Sequence, residues 1–319
     1  MSLRYNLAAS RRPKGWSMLN MLIRCCGVLT IALACGIPQS FADDASPPPT
    51  PLNPEKTVLL DKAGGRVLVR TTVCLRRGIL EMFACPKQTK EHESILSFDG
   101  KAQTVHAGLL ALGLEPGHPA RFGEKFELPE GPKLDLFVTW EDSNGKAHRR
   151  AANEWVRGVT YRYFAANLAE VPKGVVIDKG DETLRYDPNT KELLWFGTMS
   201  KDQRQAFQAY SDNKEYRAAL QSLHDQSQPK EVETEWVFAG SRFAVTPEGK
   251  QIYQAEAGSL ICVANFGDAL IDVAIESSNS DAGGRLFEPY EERIPPEGTP
   301  VTIEISASKK AKEAKGDKQ

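Results

Sequence analysis

Cysteine is scarce in this chain, and the motifs that the sequence lacks exclude several classes of function. Three of its six cysteines lie in the first 42 residues, which leaves Cys74, Cys85 and Cys262 for the remainder. The sequence has no closely spaced four-cysteine run of the iron–sulfur type, no glycine-rich phosphate loop and no Rossmann fingerprint. No second histidine follows Glu91-His92-Glu93 at the spacing of H-E-x-x-H, which disfavours a metalloprotease.

Acidic residues are absent from the first 42 positions, which hold five basic residues. An apolar run occupies 25–37, and Ser40-Phe41-Ala42 supplies the small residues of a cleavage site before Asp43. This order is typical of a secretory signal, and the run is shorter than the roughly 20 residues that a membrane-spanning helix needs. We therefore expect a cleaved signal peptide over 1–42, no transmembrane span after cleavage, and an exported protein of the periplasm or envelope.

Three alternatives stay open at this end of the chain. Ala32-Leu33-Ala34-Cys35 loosely fits a lipoprotein cleavage box, which would anchor the protein through a lipidated Cys35. Arg11-Arg12 matches the arginine pair of a twin-arginine signal, although the residues that follow it fit poorly. Met18 or Met21 could also be the true start.

Basic residues are outnumbered once the leader is removed. Without its five basic residues, 35 basic residues stand against 42 acidic ones, a formal charge of −7. An acidic protein is a poor partner for nucleic acid, so no nucleic-acid binding is expected. The lysine-rich segment 307–319 has no apolar residue beyond alanine and is predicted to be a disordered tail.

The odd number of cysteines after cleavage allows at most one disulfide and one free thiol, or three free ligands. If 67–74 and 79–85 pair as a hairpin, Cys74 and Cys85 lie roughly 15–20 Å apart, at about 3.3 Å per residue. Cα atoms more than about 7 Å apart cannot be bridged. A bond between Cys74 and Cys85 is therefore not expected, while Cys262 could pair with either.

Strand patterns dominate the chain after a proline-rich segment over 43–55, which is predicted to be an extended linker. Residues 104–114 are apolar on nearly all sides and predict a short buried helix. Two hairpins are predicted where strand patterns flank a turn signal: 56–61 with 66–74 around Gly64-Gly65, and 133–141 with 146–150 around Ser143-Asn144-Gly145.

The stretch from about 160 to 233 differs in character, because short strand patterns are followed by two helices. Ser200 and Gln203 form a capping box for the first helix. The second has an apolar stripe, formed by Tyr216, Ala219, Leu220 and Leu223. Because strands outnumber helices without alternating with them, the sequence predicts the α+β class. The domain expected over 56–306 is β-rich, with mostly antiparallel strands, one short buried helix and an inserted α/β excursion at about 160–233.

Several short motifs carry a family resemblance. The first set is Leu80-Glu81, Ala84-Cys85-Pro86, Lys90-Glu91-His92-Glu93-Ser94-Ile95 and Val105-His106-Ala107-Gly108-Leu109-Leu110. These motifs are similar to those of the YdjY-domain proteins of bacterial envelopes. Later pieces resemble the larger members of that family found in planctomycetes: Glu154-Trp155-Val156, Trp236-Val237-Phe238-Ala239-Gly240-Ser241 and Ile275-Glu276-Ser277-Ser278. The family has no settled activity, so the resemblance implies no reaction.

The run from Cys74 to His118 concentrates the scarce chemistry of the chain, with three of its five histidines. The candidate binding residues in this run are Glu81, Cys85, Lys90, His92, Glu93, Ser94 and His106. Cys85, His92 and His106 carry the atoms that bind zinc, iron or copper, so a transition metal is the cofactor considered. Their spacing matches no standard metal motif. The alternative interpretation is structural, with His92 and His106 fixing the corner between a strand and a helix.

These residues support three hypotheses of function. The first is a non-enzymatic binding or accessory module, which docks an unknown protein or small-molecule partner of the envelope. The second is a metal-binding or redox protein that assists electron transfer. The third is a thiol- or metal-dependent hydrolase, in which Cys85 is the nucleophile and His92 or His106 the base. No glycine-rich oxyanion elbow surrounds Cys85, so the sequence favours a protein that is not an enzyme.

Overall fold

The computed structural model describes residues 47–177, 183–277 and 285–309. These residues form three α-helices, which are α1 (Ala102–Ala111), α2 (Lys201–Gln208) and α3 (Lys214–Ser227). They also form twenty strands, which are β1 (Thr50–Pro51), β2 (Val58–Asp61), β3 (Arg66–Val73), β4 (Met82–Pro86), β5 (Ser94–Phe98), β6 (Arg121–Phe122), β7 (Phe126–Glu127), β8 (Lys133–Glu141), β9 (Ala147–Ala151), β10 (Val156–Gly158), β11 (Tyr163–Asn167), β12 (Leu184–Asp187), β13 (Glu192–Phe196), β14 (Trp236–Phe238), β15 (Phe243–Val245), β16 (Gln251–Tyr253), β17 (Ile261–Cys262), β18 (Ile271–Val273), β19 (Phe287–Pro289) and β20 (Pro300–Ala307).

Eight of the described strands close into a barrel. They are hydrogen-bonded in the order β3, β20, β8, β14, β18, β17, β4 and β5, and β5 returns to β3 through Thr72↔Ser97 and Val73↔Leu96. Two neighbouring pairs, β4 with β5 and β17 with β18, are parallel, and the other six are antiparallel. The protein is β-rich as expected, but the prediction of an α+β domain is wrong: the fold is mostly β, around a closed mixed barrel.

The error lies in which strands pair. The hairpin of 67–74 with 79–85, on which the expected separation of Cys74 and Cys85 depends, does not form, because β5 lies between β3 and β4 and bonds to both. On its other side β3 pairs with β20, where Thr71 lies opposite Val301, 230 positions along the chain. Alternating side chains identify a strand and its buried face. The partner of each strand is set by barrel closure, which joins distant segments.

Both hairpins with a strong turn signal are confirmed. Strands β2 and β3 pair from Val58↔Val69 to Asp61↔Arg66, and β8 pairs with β9 over five positions. Gly65 and Gly145 adopt φ angles of 63° and 75°, in the left-handed region that glycine favours. Local turn chemistry therefore determined the register of these two hairpins.

A cluster of three aromatic rings around Phe83 lies within the main hydrophobic core. The ring of Phe83 on β4 lies 5.8 Å from that of Trp236 on β14 and 6.4 Å from that of Trp155. All three side chains are buried. Aromatic side chains of this kind bury about 150–250 Å² each, so this cluster is a large contributor to the stability of the barrel.

Helix α1 forms where a helix was predicted and packs against the β2–β3 hairpin, but it is buried on one face only: Val105 and Leu109 are buried, whereas Leu110 is 47 % exposed. Gly108 approaches Val67 so closely that a β-carbon would come within 2.9 Å of its side chain. At the other end, the backbone N–H groups of Ala102 and Gln103 donate to the carboxylate of Glu256, at 3.1 and 2.9 Å. A carboxylate at a helix N-terminus satisfies donors that have no partner inside the helix.

The stretch 160–233 forms a sheet and core of its own. Strands β11, β13 and β12 make a three-stranded antiparallel sheet, and α3 packs on it. Helix α2 begins with the predicted capping box of Ser200 and Gln203. The predicted stripe of α3 is buried in this second core, which includes Trp195, Leu193, Tyr216, Ala219, Leu220 and Leu223. The helix is therefore held within this stretch rather than against the barrel.

The predicted signal peptide over 1–42, its lipidated alternative at Cys35 and residues 310–319 of the tail predicted over 307–319 lie outside the described residues. The first residues of that predicted tail are ordered, since Ala307 ends β20 and the N–H of Ser308 donates to the carbonyl of Lys133 at 2.8 Å. The end of the predicted linker is part of the sheet, since Thr50–Pro51 pairs with β2. Asn53 stabilises this arrangement by accepting hydrogen bonds from the N–H groups of Thr57 and Val58. In the described part of the chain, no helix is long and apolar enough to cross a membrane.

Candidate functional site

The structure divides the candidate residues into separate groups. His92 has 75 % of its side chain exposed, and its Nε2 lies 3.7 Å from Oε2 of Glu93. The remaining candidates fall into three groups, which are Glu81 with Lys90 and Glu93, Cys85 with Ser94, and His106 alone. Each group has different neighbours and therefore a different chemistry.

The first group forms because β4 and β5 run parallel. Glu81 immediately precedes β4, and Glu93 immediately precedes β5, so parallel pairing places the two residues side by side. The backbone N–H of Glu81 donates to the carbonyl of Glu93 at 3.1 Å. The connection over 87–93 includes the 3-10 turn Glu91–Glu93 and brings Lys90 back to the same end. Parallel strands usually need a connection of a dozen or more residues, so this one is short.

Lys90 is held by both carboxylates. Its Nζ lies 2.7 Å from Oε2 of Glu81 and 3.0 Å from Oε1 of Glu93. The same ammonium stands 4.2 Å from the centre of the Phe266 ring, a cation–π distance. Its alkyl chain passes Gly258 so closely that a β-carbon there would come within 2.6 Å of it. The Lys90 side chain is therefore fixed from its stem to its charged end.

The charged groups around Lys90 shift one another's pKa values. Burial raises the pKa of Glu93, the Glu81 carboxyl raises it further, and Lys90 lowers it in part. Burial disfavours the Lys90 ammonium, but its hydrogen bonds to Glu81 and Glu93 outweigh that effect and raise its pKa. One cation thus compensates two carboxylates, which leaves an excess of negative charge at this end of the barrel.

A buried carboxyl holds the loop that presents Phe266. Asp272 accepts hydrogen bonds from Nδ2 of Asn265 at 3.1 Å, from the N–H of Val273 at 2.8 Å and from the N–H of Phe266 at 3.4 Å. Complete burial raises the pKa of Asp272 well above its ordinary value. These bonds fix the loop between β17 and β18 in the position where the ring of Phe266 meets Lys90.

The second group is a pair of thiols beside β5. The Sγ of Cys74 donates to the carbonyl of Ser94 at 3.1 Å, and Cys85 interacts with the Ser94 side chain. The predicted separation of Cys74 and Cys85 rested on a hairpin that does not form. Both thiols are nevertheless free, as is Cys262 among the described cysteines.

Burial suppresses the reactivity of these thiols. It raises the pKa of Cys74 from 9.0 to about 12, and it raises those of Cys85 and Cys262. The thiolate is the reactive form, and three pKa units reduce its population about a thousandfold.

We therefore expect iodoacetamide at pH 8 to label all three residues slowly in the folded protein and rapidly in urea. Peptide-resolved mass spectrometry measures the two rates; rapid labelling of Cys85 in the folded protein would contradict this prediction.

The third group places His106 in a hydrogen-bonded aromatic environment. Its Nδ1 lies 2.6 Å from the hydroxyl of Tyr253, which donates to the carbonyl of Gly240 at 2.9 Å. A hydroxyl has one proton, so Nδ1 is the donor toward Tyr253. Burial lowers the pKa of His106, which favours its neutral form. The ring also meets the edge of Phe238, with centroids 5.1 Å apart.

The candidate metal ligands do not share a site. Within the described ranges, no three His, Cys, Asp or Glu side chains are arranged to hold a metal ion. Cys85 is buried beside Ser94, His92 is exposed, and His106 is bonded to Tyr253. A cysteine nucleophile uses a thiol close to an imidazole. These contacts do not pair Cys85 with His92 or His106.

Sequence reasoning did not identify several neighbours of these residues. Phe266 and Gly258 lie more than 160 positions after Lys90, and Tyr253 and Gly240 more than 130 positions after His106. No local pattern signals such contacts, because β17, β18 and the loops beside them reach this end only through barrel closure. Among these neighbours, only the two glycines are indicated by residue type, because glycine favours positive φ angles; Gly240 and Gly258 adopt φ angles of 91° and 132°.

The comparisons with known proteins identify one domain. The model of the YdjY domain family matches residues 58–164. This range runs from β2 to β11 and includes every candidate residue named from the sequence. No curated protein and no solved structure matches the chain.

Proposed function

The chain belongs to the YdjY-domain family, and from that premise we propose that it is an exported, non-enzymatic binding module of the bacterial envelope. Its candidate binding surface consists of Glu81, Lys90, Glu91, His92 and Glu93, here called the Lys90 surface. The observation that carries the proposal is the rigid placement of Lys90 between two carboxylates, at an end of the barrel where acidic side chains are in excess.

Negative charge at the Lys90 surface supports a basic partner. Glu91 adds a third carboxylate; burial opposes its ionisation, but backbone N–H groups of Gln88 and Thr89 outweigh this and lower its pKa. The protein without its leader is acidic overall, with a formal charge of −7. Complementary charge speeds association and selects partners. We therefore propose a lysine- or arginine-rich segment of another envelope protein as the partner.

A binding role agrees with the chemistry of the other candidates. The thiol of Cys85 is buried, and its pKa is raised. His106 is engaged with Tyr253 rather than with a thiol. These contacts count against the thiol-hydrolase alternative, in which Cys85 would need a base at hydrogen-bond distance. Only the first group offers charged side chains at the surface in a fixed arrangement.

The experiment measures binding of a fluorescent ten-residue lysine peptide to the purified chain, with a ten-residue glutamate peptide as the reference. The test variant is Glu81→Gln with Glu93→Gln. Its matched control is Glu124→Gln with Glu297→Gln, two exposed residues elsewhere whose replacement changes net charge equally. We expect the test variant to bind the basic peptide about fivefold more weakly or worse, and the control within about twofold of the natural chain.

Equal losses in both variants would show that net charge alone attracts the peptide and would overturn the proposed surface. Absence of binding to the natural chain would overturn it as well. Thermal unfolding of each variant monitors folding. If the double variant does not fold, Glu93→Gln replaces it, because this single change keeps the 2.7 Å pair of Glu81 and Lys90.

A further inference from the structure

A cavity of about 370 Å³ lies beside the junction of the barrel domain with the stretch 160–233. Its walls come from the end of β10, the start of β11, the segment after α3 and the residues that lead into β19. The volume falls within the roughly 300–1,000 Å³ of small-molecule sites. None of the candidate residues named from the sequence lines it, so it is independent of the Lys90 surface.

Positive charge dominates this cavity. Arg162, Lys230 and Arg285 line it, and no acidic residue does. Among the described residues, no carboxylate lies within ion-pair distance of these three cations. In a protein whose overall charge is negative, three cations without a carboxylate partner in the described part of the chain form a local concentration of positive charge, which attracts anions.

A nearby carboxylate is already compensated. Glu288 accepts hydrogen bonds from Nε of Arg157 at 2.7 Å and from the hydroxyl of Thr160, a lining residue, at 2.8 Å. Arg157 also pairs with Glu292 at 3.2 Å. The carboxylate of Glu288 is therefore neutralised by its own arginine and forms no ion pair with the three described cations of the cavity.

The walls of the cavity are partly apolar. Val159, Phe164 and Phe287 line it and are largely buried. The guanidinium of Arg162 lies 5.0 Å from the centre of the Phe164 ring, so it is placed over an apolar wall. Planar guanidinium groups donate paired hydrogen bonds to carboxylate and phosphate oxygens. A ligand that fits these walls has an anionic head and a small apolar body.

We propose that this cavity binds a small organic anion, whose phosphate or carboxylate head is held by Arg162, Lys230 and Arg285. The apolar part of the ligand packs against Val159, Phe164 and Phe287. The anionic head belongs either to a soluble phosphate ester or carboxylate, or to the headgroup of an anionic lipid. Both sources present the same anionic oxygens to the arginines.

The test is isothermal titration of the purified chain with phenyl phosphate, with phenol as the neutral analogue. The test variant is Arg162→Gln with Arg285→Gln. The control is Arg185→Gln, because Arg185 is exposed on β12 of the same three-stranded sheet, near Tyr163 and outside the cavity. We expect the natural chain and the control to bind phenyl phosphate alike, the test variant to bind at least about tenfold more weakly, and phenol not to bind.

Vesicles of phosphatidylglycerol, tested by co-sedimentation, distinguish the two sources of the head. Binding of phenyl phosphate alone supports a soluble ligand, and binding of both probes with loss of both in the test variant supports a lipid headgroup. If the protein sediments with the vesicles but does not bind phenyl phosphate, the cavity is not the binding site and the proposal is overturned. Unchanged binding in a folded test variant, or equal binding of phenol, overturns it as well. If the double variant does not fold, Lys230→Gln is used, because Lys230 lies in a loop after α3.

Discussion

Replacing Phe83 with alanine is expected to lower the free energy of unfolding by about 3–5 kcal/mol. The Phe83 ring is buried between Trp155 and Trp236, on a strand that is bonded to both of its barrel neighbours. Its removal would leave a cavity that the surrounding strands cannot close, because the closed barrel restricts their movement. Urea unfolding followed by tryptophan fluorescence measures the loss, since two of the tryptophans line that cavity.

Phe122→Ala is the matched control for this change. Phe122 is 68 % exposed on β6 and contacts only the ring of Phe126 among the described aromatic side chains. We expect its replacement to change stability by about 0.5 kcal/mol or less. A similar loss in both variants would mean that the Phe83 cluster is not a centre of the fold.

Replacing Lys90 with methionine is expected to lower the free energy of unfolding at pH 7 by about 2 kcal/mol, less than for a fully buried pair because the group is partly solvated. The change leaves the carboxylates of Glu81 and Glu93 side by side, with side chains only 13 % and 19 % exposed. Chemical unfolding of the natural chain and the variant at a series of pH values measures the difference.

The loss should decrease as the pH falls. The pKa of Glu93 is already raised in the folded protein, and removing Lys90 takes away a cation that lowers it. In the variant, the folded state then binds more protons than the unfolded chain at pH values above the ordinary 4.5. The stability of the variant therefore decreases as the pH rises through this range, and it increases again as the pH is lowered.

Two further variants separate this effect from a general loss of charge. Lys87→Met removes an exposed lysine of the same connection and should change stability by about 0.5 kcal/mol or less. Adding Glu81→Gln to Lys90→Met removes one of the opposed carboxylates and should restore part of the loss. A loss of equal size at every pH would refute the electrostatic explanation.

Local features of the fold could be predicted because neighbouring residues determine them. The turns at Gly65 and Gly145 and the cap at Ser200 depend on backbone angles and hydrogen bonds within a few residues. Helix α1 was predicted from its apolar residues and begins two positions earlier than expected. Each of these features depends on contacts that a short stretch of sequence contains.

The candidate site was only partly predictable, because some of its contacts are local and others join distant segments. The grouping of Glu81 with Lys90 and Glu93 arises within 13 residues. It depends on parallel pairing of β4 with β5, whereas the hairpin considered from the sequence would have paired β4 with β3. The Phe266 ring and the Gly258 backbone that fix Lys90 come from distant segments. The cationic cavity combines Arg162, Lys230 and Arg285 from three separate stretches, which share no local pattern.

The β-rich character of the chain, the two hairpins, the position of helix α1 and the family resemblance could be read from the amino-acid sequence. Those properties follow from the period of apolar residues, turn chemistry and short motifs, all of which act over a few residues. The closure of eight strands into a mixed barrel, the separation of Cys85, His92 and His106, and the meeting of three cations in one cavity depend on long-range packing. Closure pairs segments as distant as β3 and β20, and the free energy that selects those pairs comes from burial of the whole core rather than from any one segment.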